Sequence, residues 1–309
     1  MEFRHIPVMY REVIEGLRIR PDGIYVDGTL GGAGHSEGIL NRLGAQGRLI
    51  ACDLDLSAIE NAKVRLAEYE GKTTYLHDDY KNLIAHLDRL NIPSISGALF
   101  DLGVSSPQID TPERGFSYMK DAPLDMRMDV TQRLTAYDVV NGYEGAELIR
   151  IFREYGEERL APKIAAAIVR ERAKAPIETT LQLAALIERA YPKGKQTGHP
   201  AKRVFQAIRI EVNGELEGLE AFIKAITLRL EKGGRIAVIT FHSLEDRIVK
   251  NAFKELEKDC ICDKRMPICT CGKRKEIEIL TKKPIVASDE ERQINKRSES
   301  AKLRIAERI

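Results

Sequence analysis

An apolar run, a glycine-rich loop and a helical pattern stand side by side at residues 23–44, and this order constrains the fold more than any other feature. The β-branched and aromatic residues 23–27 stop at Gly28 and predict a buried strand. Ser36 takes the place of an N-cap, and Gly44 ends the helix that follows. Because a strand joined to a helix by a glycine loop is a building block of parallel α/β sheets, we expect such a sheet here.

The same alternation continues over the first hundred residues. A second strand ends at Asp53, and Ser57 with Glu60 three positions later forms a capping box that opens the next helix. Three β–α units in about one hundred residues predict a doubly wound parallel sheet. The elements expected after the glycine loop are a strand at 48–53, a helix ending by 71, a strand at 73–77, a helix at 83–90 and a strand at 97–101.

The pattern changes after Asp101, because residues 103–133 are rich in Ser, Pro, Asp and Met and only helical periodicity follows. Helices are expected at 137–141, 146–155, 159–173, 181–191 and 213–230, and strands at 233–241, 275–281 and 301–307. We therefore predict an α/β fold with a seven-stranded, mostly parallel sheet and an inserted all-helical domain. The expected division is 1–108 for the first part of the sheet domain, 109–212 for the inserted substrate-recognition domain and 213–309 for the second part.

The glycine loop predicts a ligand site, because glycines let a backbone approach a ligand closely. Phosphate motifs do not fit, since Glu37 stands where a dinucleotide fingerprint needs its third glycine and no Walker Gly-Lys-Ser/Thr occurs in the loop. Asp27 would repel a pyrophosphate but suits a cationic amino group. Asp53, 19 positions after Gly34, can accept both hydroxyls of an adenosine ribose. These features favour S-adenosylmethionine over the alternative, a glycine turn beside a helix-capping aspartate.

More polar residues follow the third and fourth strands, at the carboxyl edge where open α/β sheets bind ligands. Asp78, Asp79 and Tyr80 come after the third strand, and Asp101 ends the fourth. Tyr80 either stacks on adenine or is an ordinary half-buried aromatic, and the sequence favours neither interpretation.

Residues 101–108 lie where amino-group methyltransferases of nucleic acids carry an Asp/Asn/Ser-Pro-Pro-aromatic loop. The match is partial, because Ser106 and Pro107 are followed by Gln108. An exocyclic amine such as cytosine N4 needs hydrogen-bond acceptors that orient it, so a polar loop suffices. A cysteine nucleophile for C5 methylation is missing from this loop, since Cys52 is the only cysteine in the first half of the chain. Taken alone, the loop also fits a plain turn.

Several longer segments together resemble the RsmH (MraW) family of 16S ribosomal RNA cytosine-N4 methyltransferases. They are residues 5–9, 33–36, 101–110, 113–117, 123–129, 155–159, 199–201 with 205–210, and 241–247. The resemblance implies a class I, Rossmann-like methyltransferase fold and methylation of a decoding-centre cytosine, cytosine 1402 in the usual rRNA numbering. It also implies S-adenosylmethionine contacts at Ala33, Gly34, His35, Asp53, Tyr80, Asp101 and Gln108. Asp101 with the loop residues Ser105, Ser106 and Pro107 is expected to orient the amine.

Basic residues predict where RNA binds. Between Pro192 and Ile210 there are five cations and no carboxylate, with Phe205 among them, which is typical of an RNA-facing strip but also of a solvated helix. A second candidate surface lies near the active loop and includes Arg133. The residues expected to bind RNA are Arg114, Phe116, Arg127, Lys202, Arg203, Phe205 and Arg209. Lys193 and Lys195 belong to the strip between Pro192 and Ile210.

Composition sets limits on this assignment. The chain has 49 Lys+Arg and 47 Asp+Glu, a formal charge of +2, which excludes a polybasic tail or an acidic disordered protein. Any RNA surface must therefore be local. No apolar run approaches the ~20 residues that span a bilayer, and five cysteines do not make a disulfide scaffold, so we expect a cytoplasmic protein. The expected partner is 16S rRNA in the small ribosomal subunit, with no membrane, and a homodimer is left open.

Two Cys-x-Cys pairs occur late in the chain, at Cys260 and Cys262 and at Cys269 and Cys271. Four thiolates can bind zinc, but one intervening residue is fewer than the two to four usual in zinc sites. The expectation is therefore a reduced surface hairpin without metal.

Two other functions remain as alternatives. An rRNA-binding ribosome-assembly factor would bind S-adenosylmethionine without transferring its methyl group. A small-molecule methyltransferase is disfavoured by the basic strip and the large insertion.

Overall fold

Strands and helices alternate through the first 101 residues, as the sequence predicted. The computed structural model describes residues 7–192, 198–263 and 269–309. The first elements are α1 (Tyr10–Leu17), β1 (Ile24–Asp27), α2 (Gly34–Leu40), β2 (Arg48–Asp53), α3 (Leu56–Arg65), β3 (Thr73–His77), α4 (Leu83–Arg89) and β4 (Ile95–Asp101).

Six helices follow without a strand in the described residues between 104 and 215. They are α5 (Ser106–Asp110), α6 (Ala136–Gly142), α7 (Gly145–Glu154), α8 (Ala161–Arg172), α9 (Thr180–Ala190) and α10 (Ala201–Asn213). The chain divides into two units, one formed by Met1–Gly103 with Leu216–Ile309 and the other by Val104–Glu215. The helical unit has a core of its own that includes Phe152, Ile164 and Ile187.

The last part of the chain returns to the sheet. Its elements are α11 (Leu219–Leu228), β5 (Leu230–Thr240), α12 (Ser243–Glu257), β6 (Ile277–Ile279), β7 (Ile285–Val286), α13 (Asp289–Ile294) and β8 (Lys302–Arg308). The strand order is β3-β2-β1-β4-β5-β8-β6, with β7 also paired to β8. The pairs from β3 to β5 are parallel, whereas β8 runs antiparallel to β5, β6 and β7.

This sheet confirms the predicted α/β fold with its mostly parallel sheet and helical insertion. Eight strands are described instead of the expected seven, because the two-residue β7 carries too little pattern to be seen in the sequence. Helices cover both sheet faces, and alternate strand residues such as Tyr25 and Val26 enter different cores. Strands buried on both faces are continuously apolar, which is why the sequence predicted them well.

Helix starts were predicted less well. Ser57 is not an N-cap, because Asp55 occupies that position and accepts the Ser57 N–H at 3.0 Å. The helix expected at 213–230 begins six residues later, as α11, because Gly214 and Gly218 have φ of 57° and 70°. The helix α10, which ends at Asn213, was not predicted. No described helix is long and apolar enough to cross a lipid bilayer.

Candidate active site

Three aspartates mark the carboxyl edge of the parallel strands. Asp27 ends β1, Asp53 ends β2 and Asp101 ends β4. The register pairs Asp27 with Ala51 on one side and with Leu99 on the other. Since parallel neighbours end at the same edge, the strands bring these carboxyl groups together, as the sequence predicted.

Asp27 is almost fully buried, with 1% of its surface exposed. Ser36 donates its hydroxyl proton to Oδ2 at 2.7 Å, and the Thr29 N–H donates to Oδ1 at 3.2 Å. Burial raises the pKa of Asp27 to about 6, although both hydrogen bonds favour the ionised form. Ser36 is therefore inside α2 and holds this carboxylate, so its predicted role as N-cap is wrong. The N-cap is Ala33, in the left-handed region with φ 59°.

Asp53 closes the glycine loop. Its Oδ2 accepts the Gly31 N–H at 2.7 Å and its Oδ1 accepts the Asp55 N–H at 2.8 Å. Burial raises the pKa of Asp53 to about 6 against these hydrogen bonds. The side chain thus lies half-buried beside the loop, as expected of an acceptor for ribose hydroxyls.

Asp101 has the most perturbed carboxyl group at this edge. Its backbone N–H donates to Thr29 Oγ1 at 2.5 Å, but its own Oδ1 is buried without a hydrogen-bond partner among the described residues. Burial, followed by the neighbouring charges of Asp27 and Glu245, raises the pKa of Asp101 to about 8. An unpartnered buried carboxyl oxygen is costly, and such groups concentrate at functional sites.

The predicted loop residues at the start of α2 are tightly packed. A Cβ on Gly34 would lie 2.2 Å from Cγ of Pro7, so this position requires glycine. His35 is buried, and its Nε2 donates to the Val8 carbonyl at 3.0 Å. This hydrogen bond therefore holds the imidazole of His35 inside the protein.

Tyr80 lies in an aromatic cluster beside β4. Its ring centroid is 5.8 Å from that of Phe100 and 5.1 Å from that of Phe222, and the ring remains half-buried. Asp78 and Asp79 are engaged locally. Burial raises the pKa of Asp78, but hydrogen bonds, chiefly from His86, leave it below its usual range. Asp79 accepts the Lys81 N–H at 2.9 Å.

Glu245 is a site residue to which sequence reasoning gave no role. It is 2% exposed, and its Oε2 accepts the Phe241 N–H at 2.9 Å. Its Oε1 lies 3.0 Å from Nε2 of His242, the N-cap of α12. The N-cap to N3 spacing from His242 to Glu245 was the available signal, because it is that of a capping box.

The loop that follows Asp101 continues into the helical unit. Ser105 is the N-cap of α5, and Oε1 of Gln108 accepts its N–H at 3.0 Å. Gln108 is buried at 4% exposure. Pro107 lies in the first turn, while the side chain of Ser106 is outside the described part of the chain. The capping box fixes the loop that was predicted to orient the substrate amine.

Three of the arginines predicted to bind RNA are held by the protein itself. Arg127 forms a fork with Asp125, at 2.9 and 2.8 Å, and Arg209 forms one with Glu215, at 2.8 Å for both bonds. Arg114 Nη2 donates to the carbonyls of residues 127 and 128 at 2.9 Å. These side chains stabilise the helical unit, and a phosphate would have to compete with the carboxylate forks on two of them.

The aromatic residue of the basic strip is not on the surface. Phe205 is 4% exposed in the core of the helical unit, so the expectation that it stacks on a base is wrong. Lys202 and Arg203 on the same helix are exposed, and Phe116 is half-buried beside Arg114. Lys193 and Lys195 lie outside the described residues.

Comparison with known proteins decides the family. The model of the MraW methylase family matches residues 2–309. The chain belongs to the MraW methylase family. A relative from Clostridioides difficile (strain 630) is 53% identical over 311 residues, and one from Clostridium botulinum (strain Loch Maree / Type A3) is 55% identical over 310. Each match covers 100% of both chains, and both relatives are named "Ribosomal RNA small subunit methyltransferase H".

Membership of the MraW methylase family makes the chain a methyltransferase with the class I fold. Solved structures are more distant. A crystal structure of an rRNA methylase from Streptococcus thermophilus aligns with 97% of this chain and 93% of its own at 14% identity, with a TM-score of 0.40. That likeness is too low to add to the argument.

Proposed function

We propose that this methyltransferase transfers a methyl group from S-adenosylmethionine to the N4 amino group of cytosine 1402 of 16S rRNA in the small ribosomal subunit. The observation that carries the proposal is the side chain of Asp101. This residue ends β4, shortly before the Ser105–Gln108 loop, and its Oδ1 is buried without a hydrogen-bond partner among the described residues. The two MraW relatives named for the small-subunit rRNA support the substrate.

The donor set at the sheet edge fits S-adenosylmethionine. When bound, this cofactor supplies an electrophilic methyl group on a sulfonium centre. Asp27 and Asp101 carry raised pKa values, and no cation among the described residues compensates their charge. A cationic ligand therefore gains from both carboxylates and lowers their pKa values. Asp53 offers its oxygens to the ribose, and Ala33, Gly34, His35, Tyr80 and Gln108 complete the proposed cofactor set.

Asp101 is also the proposed group that orients the amine. The lone pair of cytosine N4 is delocalised into the ring, so the amine must be held by acceptors while its nitrogen becomes tetrahedral. The carboxylate of Asp101 and the loop of Ser105, Ser106 and Pro107 provide such acceptors. Because the bound cation favours the ionised form of Asp101, its carboxylate is also placed to take the proton that the amine loses.

The helical unit is proposed to recognise the RNA. Of the seven residues predicted for this role, Lys202 and Arg203 offer exposed cations to phosphates, and Phe116 is the remaining aromatic candidate. The proposed substrate is the rRNA assembled in the subunit, and the proposed location of the reaction is the cytoplasm.

The test uses the purified full chain with methyl-labelled S-adenosylmethionine. Small ribosomal subunits that lack the modification, naked 16S rRNA and free cytidine are offered separately, and nucleosides are identified by mass spectrometry. We expect N4-methylcytidine from the subunits. Asp101→Ala should abolish it, whereas Asp289→Ala, at a side chain that is 93% exposed, should not.

Other outcomes would replace the proposal. Binding of subunit and cofactor without methyl transfer would indicate the assembly factor. Methylation of free cytidine at the same rate as the subunits would indicate a small-molecule enzyme.

A further inference from the structure

The connection between α12 and β6 brings four cysteine sulfurs together. Sγ of Cys269 lies 3.4 Å from Sγ of Cys260, 4.0 Å from that of Cys262 and 3.5 Å from that of Cys271. The Cys271 and Cys260 sulfurs are 3.8 Å apart, and all four sulfurs lie within 4.8 Å of one another. Two Cys-x-Cys pairs that are separated in the sequence thus form one cluster.

These distances match a single metal centre. A tetrahedral zinc ion with Zn–S bonds of about 2.3 Å places its sulfurs about 3.8 Å apart. The four observed separations, from 3.4 to 4.0 Å, lie on both sides of that value. We propose that Cys260, Cys262, Cys269 and Cys271 bind one structural Zn²⁺ ion.

Backbone donors already face the sulfurs. The Ile261 N–H donates to Sγ of Cys271, and the Cys262 N–H donates to Sγ of Cys260, both at 3.4 Å. Hydrogen bonds of this kind stabilise thiolates and orient metal ligands. In the Cys260–Cys262 turn the N–H of the second cysteine donates to the sulfur of the first, so a single intervening residue is compatible with a metal site.

The site has a structural purpose. The connection runs from Lys258 to Glu276, and its described residues contain no helix or strand. Its ends meet where the Glu276 N–H donates to the Leu256 carbonyl at 2.9 Å. Ordering a connection this long costs conformational entropy. Exposed polar residues such as Asp259 and Lys275 bury no apolar surface that would offset this cost. Four metal–thiolate bonds inside the connection provide that stabilisation.

Local charge also favours a metal thiolate centre. Zinc with four thiolates carries two negative charges. The exposed side chains of Lys258, Arg274 and Lys275 lie in the same connection. Cations near thiolates stabilise their ionised form, so the surrounding sequence is suited to the bound site.

Two competing states fit less well. All four cysteines are free thiols in the structure, and Sγ of Cys269 lies within 4.0 Å of all three other sulfurs, which gives no preferred disulfide pairing. A cluster of several irons would separate the thiolates further, because they bind different iron atoms. Mononuclear tetrahedral coordination is the arrangement that uses all four sulfurs at these distances.

The test is the metal content of the purified full chain. After expression with zinc in the medium and removal of loosely bound metal, mass spectrometry should find about one zinc per chain. The double variant Cys262→Ser/Cys269→Ser should retain none, and Cys52→Ala, which changes the only cysteine outside the cluster, should retain the full amount. Refolding with Co²⁺ should give the strong visible bands of tetrahedral cobalt thiolate.

Each contrary result overturns the proposal. A folded, metal-free chain whose four thiols react with iodoacetamide as fast as those of a free peptide would indicate the reduced hairpin. Disulfides after purification, or an iron–sulfur spectrum with bound iron, would assign the cluster to another chemistry. The readout is metal content, so its outcome does not depend on the proposed methyl transfer.

Discussion

Replacing Asp101 by asparagine is expected to stabilise the cofactor-free protein while abolishing methyl transfer. In the folded chain the carboxyl group has a pKa of about 8 against 3.8 for an unperturbed aspartate, because it is buried near Asp27 and Glu245. A folded-state pKa above the unfolded one means that the group favours folding while it is protonated. This contribution is complete below pH 4 and is lost as the pH rises to 8.

The structure sets the magnitude. A rise of about four units, at 1.36 kcal/mol per unit, gives an upper limit of about 6 kcal/mol for the fully ionised group. Relaxation and water entry reduce the cost of buried charges, so we expect a difference between about 2 kcal/mol and this limit. Asparagine has the same shape and carries no charge. For a chain of this size, about 2 kcal/mol corresponds to a rise in Tm of roughly 5 °C.

The assay is thermal unfolding of both proteins without cofactor from pH 4 to pH 9. The difference in Tm between Asp101→Asn and the natural chain should be smallest at pH 4, grow as the pH rises and level off above pH 8. Titrating groups that do not interact with Asp101 cancel in this difference. A difference that does not change with pH, or an asparagine variant that is less stable at pH 9, would refute the reasoning that Asp101 is buried without a partner.

Three other outcomes follow from the same structure. The Kd for S-adenosylmethionine should fall as the pH rises from 6 to 7.5, by up to about tenfold per unit, because the ionised form of Asp101 binds the cation. In Asp101→Asn, calorimetric titration should show a weaker trend, confined to the region near pH 6 where Asp27 titrates. Gly34→Ala should lose about 1–3 kcal/mol in denaturant unfolding, since its Cβ would overlap Pro7, and unchanged stability would contradict that packing. Phe205→Ala should lose about 3–5 kcal/mol through a core cavity, whereas Lys202→Ala should leave stability unchanged and weaken subunit binding more at low salt than at high salt.

The sheet was predictable because its strands are buried on both faces and therefore appear in the sequence as apolar runs. The carboxylates at its edge were predictable for the same reason, since Asp27, Asp53 and Asp101 each stand directly after such a run. Their protonation was not, because it depends chiefly on how deeply the fold buries each carboxyl group, and for Asp101 also on Asp27 and on Glu245, which lies far away in the sequence.

Helix caps and RNA contacts depend on tertiary partners. Ser36 has the right chemistry for an N-cap, but its hydroxyl binds Asp27 instead. The residues around Phe205 have the composition of a surface strip, but its side chain faces the core. Its helical spacing with the buried Val204 and Ile208 is consistent with this orientation. The spacing within each Cys-x-Cys pair argued against zinc. That spacing does not show how close the two pairs come in the fold, where Sγ of Cys260 lies 3.4 Å from Sγ of Cys269.

The proposed reaction itself is tested most directly in cells. A bacterial host without its own enzyme for this modification would carry the gene for this chain, the gene for Asp101→Ala, or neither. The fragment of 16S rRNA around cytosine 1402 is then isolated and its methylation is located by mass spectrometry. We expect an N4-methyl group on that cytosine only with the intact gene. A methyl group on another nucleotide, or none while the chain is bound to the subunit, would contradict it.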